Sequence, residues 1–251
     1  MLKALLLISI VILNFPCNGK EVSVGVGNFE PYFIAKGETG LFTELLDAIF
    51  GRIPNYHPKY RFDRSNNRLF QEFKNGNLDA VANVFESMDL APCHSTSFFH
   101  FQDMAMSRAK DKLQINRIED LKGKSIITFQ GARKFLGNTF AEQTQDGPYI
   151  ELANPGYQVR QLARGKGDVS VGDLFVFLHN LQKVSVLEMT PADFHYHKVI
   201  PRNSTRMGFN DTKLCQLFGE ALNQIKEEGI DKAIYTKYFK KYHAPVTIYK
   251  D

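Results

Sequence analysis

Three groups of side chains in this sequence stand where they could bind or react. The first is the aromatic run Phe29, Tyr32 and Phe33 in Gly27-Asn28-Phe29-Glu30-Pro31-Tyr32-Phe33. Gly and Pro forbid regular strand pairing there, so the rings fall in a loop, where they either pack on a ligand or plug the top of a lobe. The second is a set of acids beside strand ends: Glu86 and Asp89 after Val84, and Asp173 after Val169-Ser170-Val171-Gly172. A carboxylate accepts several charge-assisted hydrogen bonds from an ammonium group. An Asp opening a helix at Leu174 is equally an N-cap, and one residue can do both. Glu86 and Asp89 are either acids for a cationic ligand or solvated loop residues. The third is Gln130-Gly131-Ala132-Arg133, a turn at a helix amino terminus, where unpaired N–H groups can receive an anion and Arg133 either joins them or points to solvent.

Other chemistries leave little trace. There is no Ser/His/Asp spacing, no Gly-rich phosphate loop and no metal pattern; His195 and His197 alternate on one strand without an evident third ligand. No catalytic residue, metal or cofactor is therefore expected. The formal charge of +4 is spread along the chain, with no Lys/Arg block and no aromatic-basic interleaving, which excludes a nucleic-acid module. Met1-Leu2-Lys3, the apolar run from Ala4 to Phe15 and the close Pro16-Cys17-Asn18-Gly19 read as a cleaved secretory signal over residues 1–19. The mature protein is then expected in the periplasm, starting near Lys20. Cys93 and Cys215 remain as an even pair in an oxidising compartment, either one disulfide or two buried thiols; sequence spacing does not decide.

The elements that position these groups are legible as alternations and helical faces. Val22, Val24 and Val26 alternate as a strand, and Leu41, Leu45, Ala48 and Ile49 follow Gly40 at helical spacing up to Gly51. Lys59–Asp63 is a short strand candidate. Ser65 or Asn66 caps a helix through Leu69, Phe70 and Phe73 that stops at Gly76, and Leu78–Val84 resumes as a buried strand with Asn83 near its carboxyl end. The same pattern returns nearly ninety residues on. Asn154-Pro155 starts a helix, Gly165 stops it and Asp168–Val171 is a strand. Both copies run helix, Gly, two residues, Asp, strand, which suggests two similar α/β lobes. Between them, Asn116 and Glu119 have capping-box spacing, Lys124–Phe129 is a strand, and Phe135, Leu136 and Phe140 mark one helix. Phe194–Ile200 alternates as a strand, Asn210-Asp211 caps a long helix from Leu214 to Ile225, and after Gly229 a final helix runs from Ile230 to Tyr242 with Ala233, Ile234 and Tyr238 inward. The candidate turns sit at carboxyl ends of strands, where open α/β sheets bind ligands.

The order of several weak motifs carries a resemblance: Phe29 two residues before Pro31, Gly76-x-x-Asp79-Ala80, Leu121-Lys122-Gly123-Lys124 before a strand and Gln130-Gly131, Gly165-x-x-Asp168, and the closing Ile234-Tyr235-Thr236-Lys237-Tyr238-Phe239. Over nearly all of the mature chain this resembles bacterial extracellular solute-binding proteins of family 3, the periplasmic amino-acid-binding type. The resemblance implies an α/β, two-lobe periplasmic-binding-protein-like fold of type II, each lobe a mixed sheet flanked by helices. Residues 20–108 and 200–251 would form lobe 1 and 109–199 lobe 2, joined near Ser107–Lys112 and His195–Arg202 and closing on a ligand between them. It also implies that Phe29 packs on the ligand and that Asp173 holds an α-amino group. The chain departs from the family after Val84, where Thr-Pro-Glu-Arg or similar supplies an Arg for the α-carboxylate; here the run is Phe85-Glu86-Ser87-Met88-Asp89, and Arg133 is the expected substitute. The expected ligand set is Phe29, Tyr32, Asn83, Glu86, Gly131, Arg133 and Asp173. A monomer is expected to capture a small amino acid, amine or organic acid for the membrane permease of an ABC-type importer. The alternatives are a cyclohexadienyl dehydratase-like enzyme on the same fold, or a ligand sensor.

Overall fold

The computed structural model describes residues 19–27, 29–62, 64–86, 88–184 and 188–244; apart from Gly19, the proposed signal segment lies outside them. The chain opens with β1 (Lys20–Gly25), α1 (Leu41–Phe50), β2 (Tyr56–Arg61), α2 (Asn66–Lys74) and β3 (Ala80–Phe85). Three strands follow in quick succession, β4 (Cys93–His94), β5 (Phe99–Phe101) and β6 (Asp103–Arg108). The middle of the chain holds β7 (Ile126–Phe129), α3 (Ala132–Phe135), α4 (Asn138–Gln143), β8 (Tyr149–Leu152), α5 (Pro155–Ala163), β9 (Val169–Asp173), α6 (Leu174–Lys183) and β10 (Phe194–His197). The last part is β11 (Asn203–Phe209), α7 (Thr212–Glu227) and α8 (Ile230–Lys241).

These strands form two mixed sheets, ordered β2-β1-β3-β11-β4 with β5 also on β11, and β10-β6-β9-β7-β8. In each, three parallel strands are extended by an antiparallel one, β11 beside β3 and β6 beside β9. β6 thus belongs to the second sheet, although the sequence boundary at residue 108 put it in the first lobe. The chain passes between the sheets at Gln102 and returns over residues 198–202.

The repeated helix-Gly-Asp-strand pattern has one physical cause in both lobes. α2 and α5 each end in a left-handed glycine, Gly76 and Gly165, with paired bonds from Asn77 to Glu72 and Lys166 to Gln161 that satisfy the last helical carbonyls. Two residues later Asp79 and Asp168 lock the next strand to its neighbour. Asp79 Oδ2 accepts from Ser23 N at 2.8 Å and Ser23 Oγ at 2.6 Å, and Asp168 Oδ2 accepts from Ser125 N at 2.8 Å and Ser125 Oγ at 2.9 Å. Asp79→Ala and Asp168→Ala strip the same donors of their acceptor, so each is expected to lower stability by about 1–3 kcal/mol in urea unfolding. Losses near zero at both sites would show that strand pairing alone holds the register.

The first lobe packs α1, α7 and the aromatic loop on one core that includes Tyr32, Phe33, Phe42, Phe99 and Phe218. Gly40 permits this. Its φ is 135°, and a Cβ there would overlap the Tyr32 carbonyl, which instead accepts from Phe42 N and ties the loop to the start of α1. A disulfide joins Cys93 in β4 to Cys215 in α7, so the open choice between bridge and free thiols falls to the bridge. Local detail departs from the expectation in two places. Asp120, not Glu119, accepts from the Asn116 and Arg117 N–H groups, and the helix expected through Phe135 and Phe140 is broken at Gly137 into α3 and α4.

Candidate functional site

Between the lobes lies a cleft of about 790 Å³. Its lining includes Asp103 and Asn203, next to the two crossings, and the rings of Phe29, Phe101, Phe129 and Phe177. Phe29 keeps 38% of its surface exposed and stacks on Tyr32 at 5.6 Å. At one edge Glu30 of the first lobe pairs with Lys183 and with His179 (3.0 Å) on α6. Lys183 holds the Glu30 carboxyl below its ordinary range, while burial pushes the His179 imidazole down.

Of the seven residues named from sequence, Phe29, Asn83 and Asp173 line this cleft. Tyr32 does not. It is fully buried behind Phe29, and its hydroxyl donates to Asp173 Oδ2 at 2.7 Å; burial and then Asp173 hold the phenol far above its ordinary value, so it stays a neutral donor. Glu86 lies exposed outside the lining, accepting from Ser97 Oγ at 2.6 Å. The anion site at Gly131 is filled from within, because Gly131 N donates to Glu151 Oε2 at 2.8 Å. Arg133 is spent outside the lining too: it donates to the Thr144 carbonyl at 2.6 Å and its guanidinium lies 3.7 Å over the Tyr149 ring. Its guanidinium is thus held outside the cleft lining.

Asp173 is the N-cap of α6 and also a junction between the lobes. It accepts from Val176 N at 2.9 Å, Gln102 N at 2.8 Å and Tyr32 Oη, so three of its roughly four lone-pair positions are used inside the protein. The acid that sequence reading missed is Asp103. It is 7% exposed, lines the cleft, stands opposite Asp173 in the β6–β9 register, and accepts no hydrogen bond among the described residues. Burial, then the charge of Asp173, pushes the Asp103 carboxyl up to about 8, and burial pushes Asp173 up to about 6 against the pull of Tyr32 and the N–H groups of Val176, Gln102 and Phe175. Asn83 is a second unmatched group, 5% exposed with a left-handed φ of 60° and an Oδ1 that has no donor among the described residues. Its strand place marked it in the sequence; Asp103 was signalled only as an acid opening the apolar run Met104-Ala105-Met106. Among the described residues no cluster of His, Cys, Asp or Glu could hold a metal.

No family model and no characterised protein matches the sequence. Solved structures do match the fold. The probable amino-acid ABC transporter extracellular-binding protein ytmK from Bacillus subtilis superposes with a TM-score of 0.70 at 22% identity, covering 88% of this chain and 97% of that one. The GLUR0 ligand-binding core in complex with L-glutamate gives 0.69 at 12%, covering 88% and 98%. A histidine kinase sensor domain with similarity to periplasmic binding proteins gives 0.66 at 18%, covering 88% and 96%. The two mixed sheets, the two crossings and the cleft between them thus make this chain a two-lobed protein of the periplasmic-binding-protein-like fold.

Proposed function

We propose that the protein is an exported solute-binding protein that captures a small molecule by closing its lobes, and passes it to the permease of an ABC-type importer. The observation that carries this reading is a cleft set at two strand crossings whose lining holds a largely buried acid, Asp103, that accepts no hydrogen bond among the described residues, and a buried amide oxygen, Asn83 Oδ1, without a donor there. Buried polar groups without partners are costly, and a bound ligand is what would satisfy them. The importer is favoured by the transporter protein among the structural neighbours, and a sensory role by the kinase sensor domain.

A thermal-shift screen of amino acids, amines and small organic acids tests capture, since a ligand at a hundred times its dissociation constant stabilises by about 2.7 kcal/mol. A compound that raises the melting temperature is expected also to shrink the radius of gyration in small-angle scattering. An unchanged radius at saturation would rule out closure.

One observation favours a second, enzymatic reading: a carboxyl held protonated near neutrality, such as Asp103, is what a general acid for loss of water requires. Of the groups this reading would use, Glu86 or Asp173 together with Arg133, only Asp173 lies in the cleft lining. Turnover of prephenate or arogenate by purified protein decides between the two.

A further inference from the structure

Asp103 and Asp173 face each other across β6 and β9 in a place largely removed from water. Like charges directly opposite on neighbouring strands destabilise a sheet, and burial makes the ionised form costlier still. Asp173 is compensated by the Tyr32 hydroxyl and by backbone N–H groups, whereas Asp103 accepts no hydrogen bond among the described residues. A partner suited to Asp103 is therefore a group with several N–H donors and a positive charge. The lining also carries the rings of Phe29, Phe101 and Phe177, which suit both an apolar body and a nearby cation.

The groups that could take an anion already have protein partners. Arg64 of the lining lies 3.6 Å from Glu72, and Lys183 pairs with Glu30. The Gly131 N–H is on Glu151, and Arg133 is on Thr144 and Tyr149. A ligand carboxylate would have to displace one of these pairs or rely on neutral side chains of the lining such as Ser65, Gln130 and Asn154, which bring no charge to it, and either costs binding energy.

We propose that the cleft selects an amine that carries no carboxylate, an ammonium group on an aromatic or branched apolar body, with Asp103 as its ion-pair partner and Asn83 as a second acceptor. The assignment rests on the reading of the cleft as a ligand site and narrows it to one chemical class. Binding displaces the proton of Asp103, because an ammonium pairs with the carboxylate and not with the acid. Asp173 is the charged group that acts on Asp103; Glu30, Arg64 and Lys183 stand elsewhere in the lining with their own partners.

The test is titration calorimetry with phenethylamine, L-phenylalanine and phenylpropionate, which share a ring and differ in their charged groups. Phenethylamine is expected to bind at least about tenfold more tightly than phenylalanine, and phenylpropionate not at all at about 10 mM. Titrations near pH 7 in phosphate and in Tris should differ in heat by the release of about one proton per amine bound. Asp103→Asn is expected to weaken phenethylamine by about a hundredfold or more. Asn83→Leu should weaken it by about tenfold, and serves as the second variant should Asp103→Asn fail to fold. Tighter binding of phenylalanine or phenylpropionate would overturn the ligand class while leaving solute capture standing, as would no binding of phenethylamine at about 10 mM alongside a hit among other compounds in the broad screen. Wild-type affinity in Asp103→Asn would overturn the role of that residue.

Discussion

Replacing Cys93 and Cys215 together by Ala is expected to lower the unfolding free energy by about 3–5 kcal/mol, the largest loss expected of any change outside the cleft. The bridge ties β4 to α7 across a sequence separation of 122 residues, so the loop it closes contains the whole second lobe. In the chain-entropy view a cross-link of that span removes roughly 5 kcal/mol of freedom from the unfolded chain. The folded side adds a smaller term, because Cys215 is buried against the first-lobe core. For a chain of this size the loss corresponds to a melting temperature lower by roughly 6–20 °C. Guanidinium unfolding of the oxidised, reduced and double-Ala proteins measures it. A difference near zero would mean that the unfolded chain keeps β4 and α7 together without the bond.

The framework was legible where a strand or helix carried its own punctuation. The glycine stops at Gly76 and Gly165, the Asp211 cap and the long apolar face from Leu214 to Ile225 all lie where the pattern put them, because each is fixed by local chemistry. The stretch from residue 93 to 108 was not legible. β4 and β5 are two and three residues long, too short to show an alternation, and they exist only through pairing with β11 a hundred residues later. β6 is buried on both faces, so its run Met104-Ala105-Met106 has no period to read. α8 turns Tyr235 and Tyr238 inward and leaves Ala233 exposed, because tertiary contacts choose the face of a helix whose apolar residues are scattered around it. The same limit applied to the candidate site. Phe29 and Asp173 were named through the family resemblance and Asn83 from its place late in a strand, whereas Asp103 became visible as a lining acid only once β6 was laid beside β9. Arg133 and Glu86 looked available because a sequence cannot show that Thr144, Tyr149 and Ser97 already hold them.

Asp103→Asn is expected to stabilise the empty protein while it weakens amine binding, and the two effects should separate with pH. Burial and Asp173 raise the Asp103 carboxyl from an ordinary 3.8 to about 8, so between these values the folded chain keeps a proton that the unfolded chain releases. Stability carried by that proton is therefore lost steadily as pH rises through the window, at up to about 1.4 kcal/mol per unit, and the loss levels off above about 8. Asp173 contributes a similar slope, but only up to about 6, and the Asn variant retains it. Between pH 6 and 8 the wild-type curve should thus fall relative to Asp103→Asn by about 2 kcal/mol, read from urea unfolding at several pH values across that range. A protein that holds an unpaired acid at this cost gains something elsewhere, and the cation of a ligand is the gain consistent with the geometry. A saturating amine should bring the wild-type curve back up, because the carboxylate then has a partner, and should leave the Asn curve where it was. Parallel curves for the two empty proteins would mean that Asp103 is already ionised and satisfied in the free cleft, and an acid satisfied by the protein has no need of an ammonium.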